Sequence, residues 1–598
     1  MSVQAPVGPA TAPVLPRPQR VGEFFRNYGL TGPLLLISGV LVVLPVVVVL
    51  LSSLVTGSLR PGDSLGTFTF DHYVEIFTDP RYLSALGNTA IIAIGATVLA
   101  VVTGALLAWM VARTNVPWRG FVEICGIAPI FVSPLIAAIA YSLLGSPKSG
   151  YLNLLLQGIG IPAEFSIYTL PGIIFVLGLH YVPYSFMFLS SALRNMNPEL
   201  EDAGILHGGS RFKVMRSISI PLVTPAIVAA SLLTFVLSAE NFSIVQILGA
   251  QQGIPTIPAE IYAHTRGADL DFGTASSLGM TLVVFVALLV YLQGRIVGRR
   301  EFTTVTGKGM RSRTIDLGPW RWLGLAFALV VILFSVVLPL FALLISSLHA
   351  HSYIPDAAAM FQSLTLDNFG RTLADRAFQT GITNTVILAL GTVVLGGALY
   401  LAMAYVAERT TGKGRRLLRY VASMPLALPA PIVGIGILYV WVHVPIVYGT
   451  MLVLIMAFVA RFMTQGFQGF SASLVQVSKD LEEASFVSGA SRFTTLRRIT
   501  VPLIRNGVLS TAILVFVLSS RELTTALFLY STNNRPLSIV LYNQWETGSW
   551  TSVATMSLFY SALLLVLTVI SQLIGRIGAR DRNDRTPARP KRTSRIPA

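Results

Sequence analysis

The 598-residue chain has a single cysteine, Cys125, and only 12% of its residues are charged. One cysteine excludes an intrachain disulfide and a cysteine-based metal cluster. A soluble domain carries about a quarter of its residues as charges, so this chain cannot cover itself with a polar surface. A GxxxxGK[ST] phosphate loop is missing as well. The nearest fragments, Gly307-Lys308-Gly309 and Gly412-Lys413-Gly414, lack the upstream glycine and the following Ser or Thr. The seven histidines are scattered, and no His, Asp, Glu or Tyr cluster has the spacing of a metal site. No nucleophile–base arrangement stands out. The sequence therefore offers no carrier for catalysis, nucleotide hydrolysis or metal binding.

What the chain does have is apolar length, with 53% hydrophobic residues. A membrane span needs about 20 apolar residues. Twelve runs qualify: 33–55, 86–112, 122–144, 170–193, 222–247, 274–297, 321–347, 384–407, 420–443, 446–469, 503–529 and 553–575. The reading is an all-α polytopic membrane protein. Most of the 43 Lys and Arg fall in the two tails and in loops on one side of this layout, and Arg461 lies within a span. Cytoplasmic loops carry the excess of Lys and Arg, so both termini are expected in the cytoplasm. The basic tail reads as an anchor at an anionic leaflet rather than a nucleic-acid arm. Residues 1–20, rich in Pro and Ala, read as a disordered tail. The first apolar run is too long for a signal peptide.

The chain is also two copies of one unit. Residues 198–221, PELEDAGILHGGSRFKVMRSISIP, align without gaps on 479–502, KDLEEASFVSGASRFTTLRRITVP, with ten of 24 positions identical. NTAIIAIGATVL at 88–99 aligns with NTVILALGTVVL at 384–395, and Arg113-Thr114 with Arg409-Thr410. The offset is 281 in the first match and 296 in the second, so the first half holds extra sequence around GSPKSGYLNLLLQGIGIPAEFSIY. Each half has six spans. An even number makes the repeats parallel, unlike the inverted repeats of many secondary transporters. The expected divisions are a tail 1–30, a first repeat 31–298, a linker 299–320 with Arg299, Arg300, Lys308, Arg311 and Arg313, a second repeat 321–577 and a basic tail 578–598.

Each polar repeat sits between the fourth and fifth spans of its half. It reads as two short helices. The first begins near Pro198 or Lys479, Gly208 or Gly489 supplies the turn, and Ser210 or Ser491 caps the second helix. An apolar stripe follows: Phe212, Met215 and Ile218, repeated as Phe493, Leu496 and Ile499. A single amphipathic elbow would suit a membrane surface. Two in register suggest two matching sockets on a partner with twofold pseudosymmetry.

This stretch resembles the EAA loop of permease subunits of bacterial binding-protein-dependent ABC importers, whose pattern is roughly EAA, three residues, then G. It falls on Asp202-Ala203-Gly204 with Gly208, and on Glu483-Ala484-Ser485 with Gly489. Both copies depart at the third position, and the first has Asp for Glu. The resemblance covers nearly the whole chain and implies a type I importer permease fold, multi-pass in a bacterial inner membrane. It implies that Glu201, Asp202, Ala203, Gly208, Glu482, Glu483, Ala484 and Gly489 couple to two copies of a cytoplasmic ATPase subunit. ATP and Mg would sit on that subunit, with no cofactor on this chain. An extracytoplasmic solute-binding protein would deliver the solute. The single fused chain is similar to the ferric-iron and thiamine importers, and stretches such as ENFSIVQILG look most like the ferric branch; thiamine, phosphonate or another small solute is the alternative. An ion-coupled secondary transporter would fit the span count but leaves the twin elbows without a role.

Ionisable residues inside spans are functional candidates. His180 and Arg461 are equivalent at offset 281, as are Glu240-Asn241 and Arg521-Glu522. Either these six residues line the translocation pathway, or they join helices through contacts such as Arg461 with a Glu. The topology makes a direct prediction. Cysteines placed in 300–315 should be labelled only from the cytoplasm, and those in 355–370 only from outside; labelling of both from one side would remove the two parallel halves.

Overall fold

The computed structural model describes residues 30–56, 66–162, 164–197, 199–266, 270–297, 314–352, 354, 356–362, 364–410 and 414–584. The tail 1–29, the cations of the linker, Pro198 and the chain beyond 584 lie outside the described residues, as does the side chain of Phe212.

Among the described residues eight helices are long and apolar enough to cross a membrane, and four bent pairs bring the spans to as many as twelve. In the first half they are Thr31–Ser52, Pro80–Arg113, the pair Arg119–Phe131 and Pro134–Gly145, Leu170–Asn195, Met215–Ala239 and Phe272–Leu289. In the second they are Trp320–Leu348, Arg376–Arg409, three bent pairs (Gly414–Ala427 with Ala430–Trp441, Met451–Arg461 with Met463–Val475, Phe493–Leu503 with Arg505–Ser520) and Trp550–Leu567. The expected all-α, two-repeat architecture is what the structure has.

Prolines shape several of these helices. The third span of each half is broken, by 97° and 113°. Ser133 and Leu428, each just before a proline, are extended, as the proline ring requires of its predecessor. Pro45, Pro221, Pro339 and Pro502 each stand two residues beyond a π-helical turn, at Gly39–Val43, Met215–Ser219, Leu333–Val337 and Leu496–Thr500. A proline inside a helix has no N–H to give and crowds the carbonyl four residues back. Widening that turn relieves the clash without breaking the helix. The fifth π turn, Thr392–Gly396, has no such proline.

Two span ends differ from the hydropathy reading. The fifth spans stop at Ala239 and Ser520, not at 247 and 529. The apolar sequence continues into separate buried helices, Phe242–Gly249 and Thr524–Leu527, so hydropathy cannot see the break. The last helix continues to Asp584, past the expected end of the second repeat at 577, because Arg and Ala favour helix as readily as apolar residues do.

Within each half the second, fourth and fifth spans pack on one another. The first spans do not stay at home. Thr31–Ser52 lies against the third span of the second half, and Trp320–Leu348 against the third span of the first. This exchange needs close approach. A Cβ on Gly436 would sit 2.7 Å from the Pro45 carbonyl oxygen, where backbone cannot yield. Gly436→Leu should therefore unseat the first span, at a cost of about 1–3 kcal/mol. The measurement is the thermal midpoint of the purified protein in detergent; an unchanged midpoint would mean the exchanged arm adds nothing to stability.

Candidate coupling elbows and polar centre

Both elbows have the expected form. The first helices are Glu199–Leu206 and Asp480–Val487. Gly208 and Gly489 follow with φ of +81° and +83°. The amide of the next residue reaches back five positions, Gly209 to the Gly204 carbonyl at 3.0 Å and Ala490 to the Ser485 carbonyl at 3.1 Å. This is the glycine-terminated helix end in which a left-handed residue satisfies the last carbonyls. Nothing crowds either glycine, so the demand for glycine is one of backbone conformation alone. The Ser210 and Ser491 hydroxyls accept from the amides of Lys213 and Thr494, at 3.3 and 3.2 Å.

What holds each elbow was not legible as a site. Arg113 and Arg409 end the second spans. Each turns its guanidinium onto the first member of the acidic pair in its own half, Glu201 or Glu482. Arg409 Nε lies 3.1 Å from Glu482 Oε1, with both side chains 5% exposed. Arg409 also donates to the Leu474 and Val477 carbonyls, at 2.8 and 2.9 Å, and Thr500 donates to Glu482 at 3.0 Å. The first half repeats this more loosely. Arg113 Nη1 is 3.7 Å from Glu201, Arg113 donates to the Met196 carbonyl at 3.2 Å, and Ser219 donates to Glu201 at 2.6 Å. The repeat marks Arg113 and Arg409 as equivalent without saying what they hold.

The clamp divides the acidic pairs. The Glu482 carboxylate is turned inward and cannot meet another chain, a correction to its expected place on the coupling surface; Glu201 is half-buried for the same reason. Asp202 is half-buried, and Ala203, Glu483 and Ala484 are exposed. The exposed apolar surface also differs from the expected stripe. Met215, Ile218, Leu496 and Ile499 are half-buried, and Phe493 is open. Leu206 and Val487, equivalent by the repeat, are instead 87% and 90% exposed, with Leu200, Ile205, Leu481 and Phe486 beside them. The first helix turns outward because the second packs beneath it: a Cβ on Gly204 would meet Ile218 at 2.8 Å. That contact explains the glycine at the third motif position. In the other copy Ser485 bonds Thr495 there at 2.9 Å.

The polar residues of the spans meet where the halves meet. Arg461 Nη2 lies 2.6 Å from Glu240 Oε1, an ion pair between the halves. The other Glu240 oxygen accepts from the Ala430 amide at 3.1 Å, and Arg461 donates to the Leu428 carbonyl at 3.0 Å. Both backbone groups belong to the broken third span of the second half. Arg521, the repeat counterpart of Glu240, does the converse. It donates to the Ile130 carbonyl at 2.7 Å, at the break of the first half's third span, and to the Tyr184 hydroxyl at 3.0 Å. Asn241 and Glu522 cap the helices that follow the breaks, through the Ile244 and Thr525 amides. His180 is buried, 5.1 Å edge-on from Tyr181. It lies within the field of Arg521 and is not brought to Arg461. The helix-joining contact of Arg461 with a Glu is thus present, and five of the six candidates are hydrogen-bonded or ion-paired among the described residues.

Comparison with known proteins places this geometry. The family model for the binding-protein-dependent transport system inner membrane component matches residues 96–302 and 398–581, once in each half. The chain belongs to that family. It is similar to the ferric transport system permease protein FbpB of Actinobacillus pleuropneumoniae, 27% identical over 518 residues, which cover 85% of this chain and 74% of that one. It is also similar to the putative ferric transport system permease protein FbpB 1 of Haemophilus influenzae, 27% identical over 478 residues, 78% of this chain and 74% of that one. The spermidine/putrescine permease PotB of Escherichia coli is 29% identical over 229 residues, 38% of this chain and 82% of that one.

For this permease, an inner-membrane multi-pass protein, the two clamps make unequal demands. Removing one partner of a buried ion pair costs about 3–5 kcal/mol, because the other charge is stranded. Arg409→Ala strands Glu482 and should lower the thermal midpoint strongly. Arg113→Ala should lower it less, since Glu201 is 20% exposed and keeps Ser219. Equal midpoints for the two variants would contradict the geometry.

Proposed function

We propose that this chain forms the translocation pathway of an ATP-driven importer for ferric iron. An extracytoplasmic solute-binding protein delivers the solute, and two copies of a separate ATPase subunit supply ATP and Mg and grip the two elbows from the cytoplasm, where both termini also lie. The observation that carries the reading is the pair of equivalent elbows, each clamped by an arginine and each presenting an outward knob, Leu206 or Val487. Iron is the substrate of choice because the similarity to ferric permeases runs through both halves, whereas the polyamine permease aligns with one half's length.

In this mechanism the permease performs no bond chemistry of its own. ATP binding draws the ATPase subunits together, and the elbows follow. Each elbow moves its fourth and fifth spans, between which it lies, and through its clamp the second span. The halves part at the polar centre, where Glu240, Arg461 and Arg521 join them in the closed arrangement. Asp202 and Glu483 offer carboxylates at the socket rim, and a charge-assisted contact there contributes about 1.5–3 kcal/mol.

The test is uptake of radioactive ferric iron by proteoliposomes holding permease, ATPase and binding protein. ATP-dependent uptake is expected. Glu483→Lys should reduce copurification of the ATPase roughly ten- to a hundredfold. Gly489→Val should abolish coupled uptake, since a β-branched residue resists positive φ. Normal transport by both variants would defeat the coupling role, and uptake of thiamine or phosphonate in place of iron would move the permease to another branch.

A further inference from the structure

The two halves differ at the end opposite the elbows. Hydrogen bonds establish the equivalence there. Asn88 donates to the Pro255 carbonyl and Asn384 to the Arg535 carbonyl, each at 3.0 Å. The Ile257 amide donates to Thr89 at 2.9 Å, and the Leu537 amide to Thr385 at 2.8 Å. In this register Arg81 corresponds to Ala377 and Glu260 to Val540. In the first half Arg81 and Glu260 form a two-point ion pair, at 2.8 and 3.2 Å, which bridges the second span and the helix Ile257–Thr265. In the second half the two positions carry Ala and Val, and they line a cleft of about 540 Å³.

The cleft is basic, with a wall that is mostly apolar and includes Ala377, Gly381 and Val540. Arg376 and Arg535 line it, with Asn533, Asn543, Gln544 and Thr532. Among the described residues neither arginine has a carboxylate partner, and the buried Nε of Arg535 has no hydrogen-bond partner. Glu546 ends the helix Leu537–Glu546, which forms one wall of the cleft, and among the described residues it makes no ion pair with either arginine. The cleft also lies far from the elbows. Arg376 opens and Arg409 closes one 34-residue helix, roughly 50 Å long.

The geometry points to this cleft as the socket for an acidic side chain of the extracytoplasmic binding protein, an inference that rests on the importer reading above. Two guanidinium groups flanked by amides form the donor set that a carboxylate takes. The first half supplies its own carboxylate, Glu260, to its own arginine. The second half lacks that acid and leaves the donors open to the face where solute is delivered. One open socket on a pseudosymmetric surface also orients a partner that has no such symmetry.

The test rebuilds the first-half arrangement in the second. Ala377→Arg with Val540→Glu should close the cleft, and Arg535→Glu should reverse its charge. The full complex in nanodiscs is titrated with the binding protein from the same organism, and affinity is read by surface plasmon resonance. Both variants should weaken binding by roughly tenfold or more. An acid-to-Arg change on the binding protein should restore affinity to Arg535→Glu and not to the filled cleft. Unchanged affinity in both variants overturns the socket. So does unchanged affinity with loss of copurifying anionic lipid, which assigns the arginines to headgroups. If the wild-type complex neither binds the protein nor responds to it with faster ATP hydrolysis, the importer reading falls and the socket with it. Wild-type binding that survives both variants sinks the socket alone.

Discussion

The Arg–Glu clamp at the end of each second span is the contact on which the elbows depend. A glycine at positive φ sets the direction of the chain but leaves it free to swing. The clamp removes that freedom. Arg409 is held by two carbonyls as well as by Glu482, so the elbow is fixed to the backbone of the fourth span's end as well as to a side chain. A buried guanidinium is tolerated only with a counter-charge and hydrogen bonds. The same requirement makes the clamp stiff, as the proposed coupling role demands.

Symmetry is kept and lost in a consistent pattern. At the elbows the halves match residue for residue: Arg113 and Arg409, Glu201 and Glu482, Ser219 and Thr500. At the polar centre the roles match while the charges invert. Glu240 reaches the second half's third span and Arg521 the first half's. Glu240 meets a base of the other half, Arg461, while Arg521 is held by the Ile130 carbonyl and the Tyr184 hydroxyl, so each buried charge has polar partners across the interface. At the far end the match breaks, with an ion pair in one half and a cleft in the other. Under the proposed function, two identical ATPase subunits call for symmetry at the elbows, and a single binding protein on the other face does not.

The exchanged first spans give the halves a second means of cohesion. Each first span packs against the third span of the opposite half, near its proline break. The break supplies the backbone carbonyls and amides that Glu240, Arg461 and Arg521 take up. Proline therefore acts twice here. It interrupts the helix, and it exposes the polar groups by which the halves find each other.

The sequence by itself determined the fold class, the two parallel repeats and the elbows. Each rests on a local signal: apolar length, self-alignment, and a glycine flanked by acids and a capping serine. The positive φ of Gly208 and Gly489 was legible because that conformation excludes most other residues. The tertiary structure alone decided which acid faces outward. Glu482 and Glu483 are adjacent and chemically alike, and only the position of Arg409, 73 residues before Glu482 in the chain, turns one inward. It also decided where the fifth spans end, because Phe242–Gly249 and Thr524–Leu527 are as apolar as the spans before them. The partners of Glu240, Arg461 and Arg521 lie in the opposite half, and pairing across nearly two hundred residues or more leaves no trace in hydropathy or spacing. Local chemistry is written in the order of residues; which buried charge meets which is settled only by packing, where an unpaired charge has nowhere to go.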